Sequence, residues 1–358
     1  MMINEKFKRL AHSFSNELKN AYSGQKSSLP FIIHTLAPHS KVKDGEVFQV
    51  IVIGGSFYQK AVMKKVDGII KIITQSKGTQ PPFLKKETLM EFLESHIDEN
   101  INVLALNFSY PMIPIMRNGL LDGRLTHGSK ENTFVGLEGK VVGEEIESYF
   151  KEKQNRKIQV STANDTICLL LSGLTRNKWT NLAAGVVGTG LNFAIFLEEQ
   201  TVVNLESASF NNFKVSTAAK YIDNISANPG DALYEKEVSG AYLYQHFNYH
   251  IKDNNIDFKQ IKSTKELDIL TKSKNKIISE IAQNVMEHSA TLVAAQIAGI
   301  INFQKRDLTF IMQGSLFWKG KKYLETVKKT INDLSPNYQI SFEKITHSDL
   351  YGAAKLVA

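Results

Sequence analysis

Val47-Phe-Gln-Val-Ile-Val-Ile-Gly-Gly-Ser56 is an apolar run that ends in a Gly-Gly-Ser turn, and Leu182-Ala-Ala-Gly-Val-Val-Gly-Thr-Gly190 repeats the device in the second half of the chain. Each turn leads into another strand-like segment, Ala61-Val62-Met63 and Phe193-Ala-Ile-Phe-Leu197. Glycine admits the positive φ that a tight turn asks for and lacks the side chain that would block an approaching phosphate. Backbone N–H groups and a hydroxyl then face one concavity and can hold an anion. Taken singly, each turn reads as a plain glycine hairpin. The duplication, with the polar pair Asn164-Asp165 between the two turns, predicts two lobes gripping one polyphosphate.

The rest of the chain bounds this reading. Its 358 residues suggest two domains, and 42% hydrophobic content is ample for packed cores. No run approaches the roughly 20 apolar residues of a membrane span, and the opening Met-Met-Ile-Asn-Glu-Lys has no apolar signal core. Cys168 is the single cysteine, which excludes an internal disulfide framework and reads as a buried structural thiol. A cytoplasmic setting is expected. The net charge of +7 comes from scattered lysines without arginine–aromatic interleaving, so no nucleic-acid partner and no membrane are expected. Nine histidines show no metal-ligand spacing, and no metal-binding residue is assigned.

Along the chain, Phe7, Leu10, Ala11, Phe14, Leu18 and Ala21 recur at helical spacing over 5–22. Strands are expected at 47–53, 60–66, 69–74 and 102–108, with a helix at 86–96. A helix follows Gly139 with Val142, Ile146 and Phe150 inward, and Lys157–Val160 reads as a strand. A second strand cluster covers 182–188, 192–197 and 201–205. Helices then follow at 231–250, 265–287 and Ala290–Ile301, where Ala294, Ala295, Ala298 and Gly299 permit close packing. A strand at 308–312, a helix at 320–334, a strand at 339–345 and a short last helix complete an α/β pattern.

Seven motifs, in order, resemble the eukaryotic-type hexokinases of the actin-like ATPase fold group over nearly the whole chain. Leu106-Asn-Phe-Ser-Tyr-Pro111 is similar to the family's Phe-Ser-Phe-Pro, and Gly136-Leu-Glu-Gly-Lys140 to Gly-Val-Glu-Gly. Asn164-Asp-Thr166 is identical to Asn-Asp-Thr, and Gly188-Thr-Gly-Leu-Asn192 is similar to Gly-Thr-Gly-Thr-Asn. Asn204-Leu-Glu206 is similar to Asn-Thr-Glu, Tyr234–Leu243 is close to Phe-Glu-Lys-Met-x-Ser-Gly-x-Tyr-Leu, and Gly314-Ser-Leu-Phe317 is similar to Gly-Ser-Leu-Tyr. The resemblance implies a two-lobed α/β actin-like ATPase (ribonuclease H-like) fold with a duplicated core. It places a small lobe at 46–165, joined by 346–358, and a large lobe at 1–45 and 166–345.

The implied activity is ATP-dependent phosphorylation of a hexose, first of all glucose, at its 6-hydroxyl, with ATP and Mg²⁺ as cofactors. Phosphoryl transfer asks for positioning, charge neutralisation and a base for the attacking hydroxyl. The resemblance gives Asp165 the role of that base; read without it, the residue suits a helix N-cap. A hexose needs carboxylates and amides held rigidly in a mostly dry cleft between the lobes. The resemblance places Ser109, Lys130, Asn164, Asn192, Glu206 and Glu235 on the sugar. It places Gly54, Gly55, Ser56, Gly188, Thr189 and Gly190 on the nucleotide phosphates, with Gly314 and Ser315 near the adenosine. No Walker-type loop is present.

One motif departs. Where the family reads Asp-Leu-Gly-Gly-Thr-Asn-x-Arg, this chain has Val52-Ile-Gly-Gly-Ser-Phe-Tyr-Gln59, and Gln313 replaces the acid before Gly314. Valine offers no oxygen near the magnesium. This leaves an alternative open: a catalytically impaired hexokinase-like protein that binds hexose as a sensor or regulatory partner.

Overall fold

The structure is a computed structural model that describes residues 5–128 and 131–358. In chain order the first elements are α1 (Glu5–Tyr22), β1 (Ile32–Thr35), β2 (Val47–Ile53), β3 (Phe57–Val66), β4 (Ile69–Thr79), α2 (Lys86–His96), β5 (Val103–Phe108), β6 (Met112–Arg117) and β7 (Leu120–Leu125). Next come α3 (Val142–Gln154), β8 (Gln159–Ala163), α4 (Asp165–Ser172), β9 (Leu182–Val187), β10 (Leu191–Glu198) and β11 (Thr201–Asn204). The remainder is α5 (Thr217–Asn224), α6 (Leu233–Val238), α7 (Leu243–Asp253), α8 (Thr264–Leu270), α9 (Lys276–Gln304), β12 (Leu308–Gln313), α10 (Ser315–Lys319), α11 (Tyr323–Leu334), β13 (Ile340–Glu343) and α12 (Ser348–Ala354).

Two compact units emerge. A strand-rich unit takes Ile32–Ala184, Ala194–Asn204 and Ile345–Ala358; a helix-rich unit takes the chain up to Phe31, Gly185–Phe193 and Leu205–Lys344. This division moves 32–45, 166–184 and 194–204 into the unit that holds 46–165. The reasons are local: β1 pairs antiparallel with β11, and α4 continues directly from β8 and packs on α12. The C-terminal segment joins the same unit.

The strand-rich unit is built on a sheet of order β4-β3-β2-β5-β8, in which β3 runs against the direction of the other four strands. Side chains alternate across a strand, so each strand serves both faces. Ile51 and Ile53 of β2, with Leu104, Leu106 and Phe108 of β5, join Leu89, Leu93, Ile146 and Phe150 of α2 and α3 in one apolar core. Val50, Val52, Ala105 and Asn107 point the other way, the face on which α12 packs. A small antiparallel hairpin, β6-β7, is tied to α3 by Arg117, which pairs with Asp122 at 2.9 Å and with Glu147 at 2.7 Å.

In the helix-rich unit, α1 buries Leu10, Phe14 and Leu18 against α9. At Gly299 of α9 an added Cβ would come within 2.9 Å of the Ala11 carbonyl, so the small-residue stretch does permit close packing. The segments expected as separate helices at 265–287 and 290–301 are α8 and one continuous α9 of 29 residues that runs through His288 and Ser289. The expected helix at 231–250 is interrupted at Ser239–Tyr242, between α6 and α7. Strand and helix order in β9–β13 repeats that of the first half: three strands, then helix, strand, helix, strand. Pairings repeat as well, β10 antiparallel to β11 and β12 parallel to β13. Among the described residues no helix is long and apolar enough to cross a membrane.

One glycine sets how closely the last helix can lie. A Cβ at Gly352 would overlap the backbone carbonyl of Cys168 in α4. Neither backbone can give way cheaply in a packed interior, where overpacking costs about 1–3 kcal/mol or more. Gly352→Ala is expected to destabilise the chain by at least about 2 kcal/mol, read as a lower urea midpoint. An unchanged midpoint would show that α12 does not rest on α4.

Candidate active site

In the strand-rich unit the carboxyl ends of β2, β5 and β8 lie side by side, with Val52 beside Asn107 and Asn107 beside Ala163. Loops and helix starts at the carboxyl ends of parallel strands are where α/β sheets present their chemistry. Asn164 and Asp165 follow Ala163 directly. Asn164 is the N-cap of α4, its Oδ1 accepting the Thr166 N–H at 2.9 Å. The capping role considered for Asp165 therefore falls to its neighbour. Asp165 Oδ1 accepts the same N–H at 2.8 Å, and the Asn164 side chain hydrogen-bonds its carboxylate. Burial of the carboxyl, aided by the negative charge of Asp349, raises its pKa above the usual carboxylate value despite the hydrogen bonds from Thr166 and Asn164. A base that holds a proton more readily is better suited to abstracting one near neutral pH.

The first turn, Gly54–Ser56, joins β2 to β3. Its carbonyls are occupied from three directions. Tyr110 Oη and Gln80 Nε2 each donate to the Gly54 carbonyl at 2.7 Å, and Asn132 Nδ2 donates to the Gly55 carbonyl at 3.2 Å. The Ser109 N–H donates to the Ile53 carbonyl at 3.0 Å, which puts Ser109 next to this turn. Tyr110, Gln80 and Asn132 were not singled out from sequence, since they act on backbone atoms that no motif displays.

In the helix-rich unit, Asn192, Glu206 and Glu235 are brought together around the Gly188–Leu191 segment. Glu235 Oε2 accepts the Leu191 N–H at 2.9 Å, and burial raises the Glu235 pKa against that hydrogen bond. Asn192 Oδ1 accepts N–H groups from Phe193 at 2.8 Å and from Ser207 at 3.2 Å, so it ties β10 to the residue after Glu206. Glu206 itself has φ 49° and ψ 47°, a left-handed conformation that non-glycine residues adopt at some cost. Strain of this kind concentrates at functional positions.

The second turn, Gly188–Gly190, is clamped by the break between α6 and α7. The Gly240 N–H donates to the Gly188 carbonyl at 2.7 Å and the Ala241 N–H to the Thr189 carbonyl at 3.2 Å. The glycines work differently from the sequence expectation. None of Gly54, Gly188 and Gly190 has a positive φ; among the glycines singled out, Gly314 does, at 109°. At the second turn the need is for space: a Cβ at Gly190 would lie 2.9 Å from Glu235 Oε2, and one at Gly188 3.1 Å from the Gly314 Cα. A cavity of about 500 Å³ opens beside this turn, lined by Gly188, Thr189, Gly240, Ser315, Lys265 and Lys319 among others. Sequence reading left Lys319 among the scattered lysines and passed over Lys265; both line this cavity. Lys130 lies outside the described residues.

Comparison with known proteins shows what the chain as a whole is similar to. A family model described as hexokinase matches residues 244–358. The chain is 24% identical to the hexokinase of Schistosoma mansoni over 307 residues, covering 70% of this chain and 67% of that protein. It is 24% identical to hexokinase-2 of Candida albicans over 275 residues, covering 67% of this chain and 56% of that one. The solved structure of the Schistosoma mansoni hexokinase complexed with glucose matches with a TM-score of 0.75 at 21% identity, covering 99% of this chain and 94% of that chain. The chain is thus similar to hexokinases, in its last third by the family model and over about two thirds of its length by these relatives.

Its fold is the α/β fold of the actin-like sugar kinases, with the duplicated order of strands and helices seen above. The chain spans about two thirds of the length of its Schistosoma relative and little more than half of its Candida relative. The family model covers Gly314, Ser315 and α12 but not Asp165.

Because Gly240 holds the second turn through backbone atoms, an added Cβ there would lie 2.7 Å from the Gly188 carbonyl oxygen. Gly240→Ala is expected to lower stability by about 1–3 kcal/mol and to speed amide exchange at Thr189 and Gly190. Exchange rates equal to those of the unmodified chain would show that the turn does not depend on this clamp.

Proposed function

We propose that the chain is an ATP-dependent hexokinase that phosphorylates a hexose, glucose first among candidates, at the 6-hydroxyl. The observation that carries this reading is Asp165: a carboxyl at the strand ends, with raised proton affinity, oriented by Asn164 and Thr166. In the step proposed, the 6-hydroxyl proton passes to the Asp165 carboxylate as the sugar oxygen bonds to the γ-phosphorus. The bond from that phosphorus to the bridging oxygen breaks, and ADP carries the electron pair away.

Asn192, Glu206 and Glu235 offer the acceptors and donors that sugar hydroxyls require, and Ser109, Asn164 and Lys130 complete the proposed sugar set. Gly54–Ser56 and Gly188–Gly190 are proposed for the phosphates. Gly314 and Ser315 would serve the adenosine side, beside the cavity with Lys265 and Lys319. Exclusion of water on binding would keep it from competing for the phosphoryl group.

The residues fit magnesium. Asn107 is fully buried and its Oδ1 has no hydrogen-bond partner, beside a carboxylate residue, Asp349. Oxygen donors of this kind suit a hard cation, which neutralises phosphate charge when bound. A cytoplasmic setting agrees with Cys168 as a free, buried thiol.

Asp165 must be ionised to act, so the acid limb of kcat/KM is expected above the ordinary carboxylate value of about 4. A limb at or below that value would remove Asp165 as the base. Asp165→Asn is expected to lower kcat by about 10²–10⁴-fold in a coupled assay with Mg-ATP and a panel of hexoses. The stability sign is opposite. A folded-state pKa raised above the unfolded one gives stability that is present at low pH and lost as pH rises through the raised value. At pH 8 the Asn variant should therefore melt no lower than the unmodified chain; a clearly lower melting temperature would mean that the ionised carboxylate is structural.

A further inference from the structure

Position 52, next to last in β2, is a valine on the sheet face covered by α12. Its cross-strand neighbours are Gln59 on β3 and Asn107 on β5. Directly opposed residues share a face, so the three side chains form one row. Both neighbours reach the same residue of α12. Gln59 Nε2 donates to Asp349 Oδ2 at 3.4 Å, and Asn107 Nδ2 donates to the Asp349 carbonyl at 3.4 Å. Asp349 is thus held from both sides of position 52, in the place where the strand itself brings no acid.

Asn107 supplies the second observation. It is fully buried, its amide reaches the first turn of α12, and its Oδ1 is left without a hydrogen-bond partner. A buried acceptor in this state calls for a donor. A water molecule bound to a cation is such a donor, and an adjoining carboxylate draws the cation itself. Among the described residues no three His, Cys, Asp or Glu side chains converge to form a protein cage. Magnesium does not need one: it keeps several waters and is held through one or two carboxylates and the phosphates of its substrate.

We propose that Asp349 supplies from α12 the carboxylate that position 52 lacks and holds, through water, the divalent cation of the nucleotide, with Asn107 Oδ1 accepting from one of the cation's waters. The acid has moved from strand to helix while keeping its place over the sheet. Asp165, three residues before the contact of α4 with α12, stays the neighbouring base. The proposal deepens the kinase reading and rests on it only for the identity of the nucleotide.

Manganese(II) alone, titrated against the protein and followed by the electron paramagnetic resonance of the free ion, tests it. Asp349→Asn keeps the size of the side chain and an oxygen that can accept from Gln59, and removes its charge. Its manganese affinity is expected to fall about 10–100-fold, with unchanged circular dichroism, and Asp349→Glu is expected to retain binding. Val52→Asp added to Asp349→Asn should recover the lost affinity. Equal affinity in the unmodified chain and Asp349→Asn, or no binding by the unmodified chain, overturns the assignment. Hexose phosphorylation measured in parallel separates the two readings. Turnover with unaltered metal binding in Asp349→Asn rejects Asp349 and leaves the kinase standing. Metal binding lost in that variant, without turnover in the unmodified chain, leaves Asp349 in place and rejects the kinase.

Discussion

The approach of Gly352 to the carbonyl of Cys168 is the constraint on which the strand-rich unit depends. It lets α12 lie directly on α4, backbone against backbone. Asp165 and Asp349 each stand three residues before this contact, so the two helix starts come together with their carboxylates. A bulkier residue at 352 would separate the helices and move one acid away from the other. The sheet beneath supplies the rest of the geometry, because β2, β5 and β8 run parallel and end at the same level.

Electrostatics at this site works against folding. Two carboxylates that sense each other, one of them buried enough to raise its pKa, are held close by packing and by the amides of Asn164, Asn107 and Gln59. Such an arrangement costs stability when both acids are charged. Functional sites are where proteins accept that cost, and perturbed carboxyls in an ordered position point to chemistry. Glu235 follows the same pattern in the helix-rich unit, raised by burial and fixed by the Leu191 N–H.

Much of the fold was legible in the sequence. The helices at 5–22, 86–96 and after Gly139 follow from apolar residues at helical spacing, and the paired strands around both glycine turns follow from apolar runs ended by small residues. The β6-β7 hairpin was missed because Arg117 pairs with both Asp122 and Glu147, and a chain read residue by residue treats these charges as surface. The break between α6 and α7 was missed as well, since a Ser-Gly inside a helical pattern is tolerated and nothing in the local sequence announces that Gly240 clamps a distant turn.

The sequence by itself pointed to candidate site residues in each half, through the order of its motifs, and it showed that position 52 has no acid. Tertiary structure alone decided what each glycine is for, which amides orient Asp165, and that Asp349 comes to rest beside Val52. The reason is physical. Motifs record residues joined along the chain, whereas close approach of backbones and the pairing of strands join residues separated by hundreds of positions, as Gln59 and Asp349 are.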